Sequence, residues 1–430
     1  MAQVSIERKE NRFVQDLLSP SDRLLVNSTR DFVDAQIMPV RRELDESTRS
    51  DFKLVEEMQG KLLPLGLQGG FLPEEYGGMG LSSALTTSLL AEEIGRGDAS
   101  LFCSLAGGLL ALRPAVRAGN REVLERFAPR FAQEDEVYMG CFAVTEPGGG
   151  SDIEHIDLMG TGIGCSAKLA GGQWVLNGAK VWPANSGVAN AYCVVCSTDP
   201  SRGHEGVALV YVETPVDGFR FLGFEDKAGL RGSRQGGFEF KDVRVPEAWR
   251  AAGPGKDAEL LRDNQVFARI FTGALAIGIA QGTFDEVLAF TTDRLAAGKP
   301  IRQHTICATI LAEIAIGIQV GRDAYVNAAY IYDRPETYGE GHSTNMLSRA
   351  STAKVFCCDA AINATNRAME LMGSYGYVTD YFVEKYWRDA KTLQLWEGGA
   401  QLSRLDVARG YYDYDQFHRN ELYERIRERG

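Results

Sequence analysis

With 430 residues, 44% of them apolar and 24% charged, the chain has the composition of a folded globular protein and is too long for one ordinary core. Two or three domains are expected. A formal charge of −12 offers no electrostatic footprint for nucleic acid or an anionic membrane surface. The opening residues, MAQVSIERKENRF, contain no apolar leader core, and no run reads as long enough to span a bilayer. The expected location is the cytoplasm, with no membrane insertion.

The eight cysteines are scattered rather than set out as a disulfide framework, which suits a reducing compartment, and all eight read as buried small apolar residues. Cys193 and Cys196 form a CxxC inside AYCVVCST, but on a strand residues three apart face opposite sides. Zinc would need two further ligands at suitable spacing. The five histidines are dispersed, and His304 reads as structural. No metal is expected.

From Ser19 to Arg130 the pattern is helical. Ser19 or Ser21 can cap a helix reaching Glu46, and Asp51 can cap the next. The turn-rich segment PEEYGGMGLS (73–82) interrupts, and helical periodicity resumes through LTTSLLAEEIGR and SLFCSLAGGLLALRPAV. Between Val137 and Val245 the character changes to short β-rich runs, MGCFAVTE, WVLNGAKVW, AYCVVCST, GVALVYVE and GGFEFKDVRV, which predict a small antiparallel barrel or sandwich. A linker over Ala251–Asp257 leads to helices predicted at Asn264–Ala296, Thr305–Asp333, Met346–Met372, Tyr381–Leu395 and Ala400–Gly410. The fold class is therefore mainly α with a central β domain. The expected divisions are a helical domain over 1–135, a β domain over 136–248, a helical bundle over 258–410 and a polar tail over 411–430.

Four segments carry residues suited to chemistry. In EKYWRDAKTLQLWEGGAQLSR, Glu397 follows an apolar run and precedes Gly398 and Gly399, which let the backbone turn sharply. A carboxylate there can act as a general base at an apolar pocket or cap the next helix. In CFAVTEPGGGSD, a strand runs through Thr145 into three glycines and Ser151, a loop suited to a flat heteroaromatic ring or a phosphate, or simply a glycine-rich turn. No strand–GxGxxG–helix unit and no P-loop occurs. Trp182, beside Pro183 and Asn185, can cover a planar ligand or belong to the core. Arg269, in the apolar FARIFTGALAIGIAQ, needs a carboxylate or phosphate partner, from the protein or from a ligand.

In this order the segments resemble the acyl-CoA dehydrogenase family over roughly residues 20–410. PEEYGGMGLS and AEEIGRGDAS resemble its N-terminal helical domain. AVTEPGGGSD, LNGAKVWPANSG and LRGSRQGGFEFKDVRVP resemble its antiparallel β-barrel-like domain. GALAIGIAQG, MGSYGYVTDYFVEKYWRDAK and WEGGAQLSR resemble its C-terminal four-helix bundle.

The resemblance implies an FAD-dependent acyl-CoA dehydrogenase in which Glu397 takes the α-proton of an acyl-CoA thioester while the β-hydride passes to the flavin. It places Phe142, Val144, Thr145, Ser151, Trp182, Ala184, Gly399 and Gln401 at the cofactor, and Arg294 at the FAD pyrophosphate of a neighbouring subunit in a homodimer or homotetramer. Ser151, Phe102, Arg269 and Gly398 fall at the substrate, with Phe102 arguing for an apolar acyl tail. An electron-transferring flavoprotein is the expected electron acceptor.

The sequence also departs from the family pattern. Ala184 replaces a flavin-bonding Thr, Ala297 a Phe and Thr305 a Gln, while Glu370 and Ser374 replace a Gln and a Gly. Ala268 stands where some members carry the base, leaving Glu397 as the matched candidate. An oxidase of the same fold and a flavin-poor subunit of a heteromeric enzyme are the rival readings.

Overall fold

The computed structural model describes residues 12–155, 158, 160 and 162–412. The N-terminal helices are α1 (Arg12–Asp16), α2 (Pro20–Phe32), α3 (Arg41–Ser47), α4 (Lys53–Leu62), α5 (Ala84–Ala118) and α6 (Arg121–Phe131). Ser19 caps α2, its hydroxyl accepting from the Asp22 N–H at 3.1 Å. The single helix expected through Glu46 does not form. The chain instead passes through a π turn, Val33–Ile37, and a 3-10 turn, Met38–Val40, because Pro39 has no N–H to continue the ladder. Asp51 accepts from the Lys53 N–H at 3.1 Å, although Phe52, at φ 61°, occupies the cap position of α4.

Helix α5 joins the two apolar-periodic segments across a break at Asp98 (φ −151°, ψ 110°). Asp98 recaps the second segment by accepting from the Ser100 N–H at 2.8 Å, and its other oxygen pairs with buried Lys385 at 2.9 Å.

The β layer comprises β1 (Gly140–Ala143), the short helix α7 (Ser151–Glu154), β2 (Ser166–Ala170), β3 (Gln173–Ala184), β4 (Ala191–Ser197), β5 (Val207–Glu213), β6 (Phe219–Phe224) and β7 (Gln235–Pro246). They form one sheet in the order β1-β4-β2-β3-β7-β6, with β5 also on β4. The expected antiparallel pairing holds for β2–β3, β3–β7, β4–β5 and β6–β7. Strand β1, however, runs parallel to β4, and β2 meets β4 in parallel at Ser166 and Ser197.

Strand β4 is buried on both faces, which accounts for its unbroken apolar run. Cys193 points into the cluster with Phe127 and Tyr211, and Cys196 into the opposite cluster with Phe238 and Val243. All eight cysteines are free thiols, and Cys307 is only partly buried, contrary to the expectation for the whole set.

The C-terminal part contains α8 (Lys256–Asp293), a hairpin of β8 (Leu295–Ala296) and β9 (Lys299–Pro300), α9 (Thr305–Tyr332), α10 (Pro335–Tyr338), α11 (Thr344–Met372), α12 (Val383–Leu395) and α13 (Gly399–Tyr412). Helix α8 begins earlier than Asn264, inside the expected linker. Asp257 holds its first turn by accepting from the Ala252 N–H at 2.9 Å and pairing with Arg250 at 2.6 Å.

By length and composition alone, α5, α8 and α9 are apolar enough to cross a membrane, which corrects the expectation that no run is long enough. The apolar windows of α5 and α8 are 83% and 94% buried, because the two helices pack on each other and share the main core. That of α9 is only 22% buried and leaves Ile306, Ile316 and Val320 exposed. The tail read from the sequence at 411–430 lies, beyond Tyr412, outside the described residues.

Candidate active site

One wall of the site is built on strands. Lys180, fully buried in β3, donates to the Val144 carbonyl at 2.8 Å and pairs with Glu146 at 2.7 Å. Glu146 also accepts from the N–H groups of Gly164 and Cys165 at 2.7 and 2.9 Å, and the Val181 N–H donates to the Thr145 carbonyl at 2.9 Å. Val144 and Thr145 are thereby fixed at the mouth of the glycine-rich loop. Phe142, one turn of the pleat earlier, packs between two of the hydrophobic clusters.

Strand β3 bulges between Val181 and Ala184, where its pairing with β7 slips. The bulge turns Trp182 outward at φ 68°, leaving it 56% exposed with its Nε1 donating to Glu225 at 3.3 Å. Ala184 resumes the pairing opposite Gln235.

The Glu397 carboxylate lies on the turn between α12 and α13. Glu397, Gly398 and Gly399 take φ values of 52°, 83° and 68°, three left-handed residues in succession. Glycine accepts this readily, whereas Glu397 must be held in it. Fully buried Arg269 on α8 donates through Nε to the Glu397 carbonyl at 3.2 Å, and through Nη1 to Ser351 and Asp406, each at 2.6 Å. Lys354 on α11 donates to the carbonyls of Trp396, Glu397 and Gly399 at 2.5, 3.2 and 3.3 Å. Ser151 reaches the Gly398 carbonyl from α7 at 3.4 Å.

Among the described residues no hydrogen bond reaches the Glu397 carboxylate itself. Burial, and then the nearby Glu154 carboxylate, push it up to about 7, with Lys354 and Arg269 opposing. Burial also pushes the Lys354 ammonium down to about 8. The environment therefore holds a basic, undonated carboxylate beside two cations that grip its main chain.

The structure thus gathers Glu397, Gly398, Gly399, Arg269 and Ser151 at one place. Gln401 is exposed on the first turn of α13. Phe102 is buried in the seam between α5 and α8, edge-on to Phe271 with ring centres 5.4 Å apart. Arg294 is exposed at the far end of α8, roughly 37 Å along the helix from Arg269 at about 1.5 Å per residue. Its guanidinium lies over Tyr375 at 5.0 Å, and within this chain it does not approach Glu397.

Glu154, Lys354, Asp406, Lys180 and Glu146 were not found from sequence. The one usable signal was the lone Lys of the alternating strand WVLNGAKVW and the lone Glu of TEPGGG, opposite charges on neighbouring β segments.

Comparison with known proteins gives this geometry its context. The N-terminal, middle and C-terminal domains of acyl-CoA dehydrogenase match residues 19–135, 141–243 and 261–412. The chain therefore belongs to the acyl-CoA dehydrogenase family, FAD-dependent oxidoreductases acting on CH–CH donors.

It is 32% identical over 388 residues to the cyclohexane-1-carbonyl-CoA dehydrogenase of Syntrophus aciditrophicus, covering 90% of this chain and 96% of that one. It is 30% identical over 392 residues to the mitochondrial short-chain specific acyl-CoA dehydrogenase of Homo sapiens, covering 91% and 90%. The structure of butyryl-CoA dehydrogenase from Megasphaera elsdenii superposes with a TM-score of 0.81 at 27% identity, covering 91% and 98%.

The residues present fit FAD. Trp182 offers an exposed indole at a bulged strand end, and the buried donor Trp396 Nε1 has no partner among the described residues.

Proposed function

We propose that the protein oxidises the Cα–Cβ bond of an apolar acyl-CoA thioester to the 2-enoyl-CoA, with Glu397 as the base. The observation that carries this reading is the Glu397 carboxylate, which among the described residues accepts no hydrogen bond and sits on a turn that Arg269 and Lys354 hold through its main-chain carbonyls; burial and the neighbouring Glu154 raise it to about 7. When bound, FAD supplies the acceptor for the β-hydride.

Glu397 takes the α-proton. A base with a pKa near the working pH combines a large deprotonated fraction with a useful driving force. Lys354 and Arg269 keep the carboxylate in place by holding the carbonyls of Trp396, Glu397 and Gly399, and Arg269 Nη2, which has no acceptor among the described residues, is assigned to an acceptor oxygen of the substrate. Burial excludes water and strengthens each of these contacts.

We assign Phe142, Val144, Thr145, Ser151, Trp182, Ala184, Gly399 and Gln401 to the cofactor, and Arg294 to the cofactor of a second copy. Its distance from Glu397 in its own chain supports that placement. Assembly into a homodimer or homotetramer would also cover the exposed apolar residues of α9. Ser151, Gly398, Arg269 and Phe102 are assigned to the substrate, and the aromatic seam of Phe102, Phe271 and Phe267 favours an apolar acyl group. Electrons would leave to an electron-transferring flavoprotein, an acceptor typical of the family, and the enzyme would work in the cytoplasm.

Anaerobic titration of the FAD-loaded protein with straight, branched, cyclic and aromatic acyl-CoA thioesters tests the reading. Bleaching of the flavin by one apolar class is expected. An unchanged spectrum with every thioester would overturn it.

A further inference from the structure

Glu154 ends the short helix α7, immediately after the glycine-rich loop. Its Oε2 accepts from Gln265 Nε2 at 3.1 Å and lies 2.7 Å from the point where a Cβ on Gly398 would stand. Arg269 Nη2 lies the same 2.7 Å from that point. A second carboxylate and a guanidinium nitrogen therefore converge on the residue that follows Glu397.

The titratable groups around this point come from several packed elements, buried Cys103 on α5 among them. Helix α8 brings Arg269, α11 brings Lys354, and α13 brings Asp406 and Arg409. His155 follows Glu154 and meets Arg409 at 2.6 Å. Asp406 is already engaged, by Arg269 at 2.6 Å and Arg409 at 2.9 Å.

We propose that Glu154 is a positioning residue for proton abstraction, a second carboxylate whose charge keeps Glu397 basic. The inference rests on Glu397 being the base. The α-C–H bond breaks, its proton goes to a Glu397 oxygen, and its electron pair forms the Cα=Cβ bond as the β-C–H bond breaks and yields its hydride to the acceptor that bound FAD would supply. With Glu154 ionised beside the adjoining Gly398, proton uptake by Glu397 removes one of two neighbouring like charges, so the repulsion is relieved as the transfer proceeds and favours it. Burial raises the Glu154 carboxyl as well, while Arg269, Lys354 and the Gln265 hydrogen bond favour its charged form.

The test follows the Glu397 carboxyl directly, by infrared difference titration of the FAD-loaded protein, with Glu397→Gln identifying its band. In Glu154→Gln the midpoint should fall by on the order of one pH unit, and in Glu154→Asp, which keeps the charge, it should stay near the wild-type value. The acid limb of flavin reduction should shift in parallel. An unmoved midpoint in Glu154→Gln, or an equal fall in both variants, would overturn the proposal. If the band shifts as expected while no thioester reduces the flavin, the coupling stands and the assignment of Glu397 as base fails instead.

Discussion

Arg269 grips Glu397 by its main chain, Nε to the carbonyl oxygen at 3.2 Å, while its Nη1 pairs with Asp406 at 2.6 Å. A single guanidinium therefore ties the turn bearing the carboxylate to the helix that follows it. Arg269→Met would leave Asp406 buried with only Arg409 for company, and breaking a buried pair on one side costs about 3 kcal/mol. A lower urea midpoint is expected. Arg269→Met combined with Asp406→Leu should recover much of the loss, since replacing both partners leaves no uncompensated charge.

Glu397→Gln should retain FAD and acyl-CoA binding and lose on the order of a thousandfold in flavin reduction. In the wild type, rapid-mixing measurements should show the rate rising with pH through about 7, because the base must be deprotonated. Below that midpoint the rate should fall about tenfold per pH unit. Rates independent of pH between 5 and 8, about the expected midpoint, would count against Glu397 as the base.

The same raised carboxyl affects stability. Its folded value lies above the ordinary carboxylate value, so the native state holds the proton more tightly, and this contribution is present at low pH and lost as pH rises through about 7. Glu397→Gln should therefore melt above the wild type at pH 8, by roughly 1–2 kcal/mol, with the gap closing towards pH 4.5. Thermal melts at the two pH values check the sign.

Gly398→Ala should be far more damaging than its size suggests. The added methyl would sit 2.7 Å from both Arg269 Nη2 and Glu154 Oε2, on a residue at φ 83°. Strain of about 1–3 kcal/mol and a displaced Glu397 are expected. Hydrogen exchange across 396–399 should rise and flavin reduction should fall, with FAD content unchanged.

Much of this architecture was legible in the sequence, for physical reasons that differ by element. Strand β4 and helices α8, α9 and α11 carry long apolar patterns that leave little choice of conformation. Strand β2 is short and mostly exposed, and in β6 the alternation of Phe219, Arg220 and Phe221 is lost at Leu222 and Gly223, so neither stands out in the sequence. The break in the first long helix lies at Pro39, which periodicity alone passes over.

Glu397 was legible because its two glycines are adjacent in the chain. Glu154 and Lys354 were not, since each meets Glu397 only through folding and neither has a local pattern to mark it. Cys307 shows the opposite error, where residue type suggested burial that the position does not provide.

Among the described residues, the hydrogen-bond anchors at residue 397 take hold of its carbonyl or of the neighbouring carbonyls, and none reaches its side chain. The scaffold thus specifies a location and a direction without specifying a functional group. A different side chain could be presented from the same turn with its supports intact, which makes this the point at which the fold could change its chemistry in a single substitution.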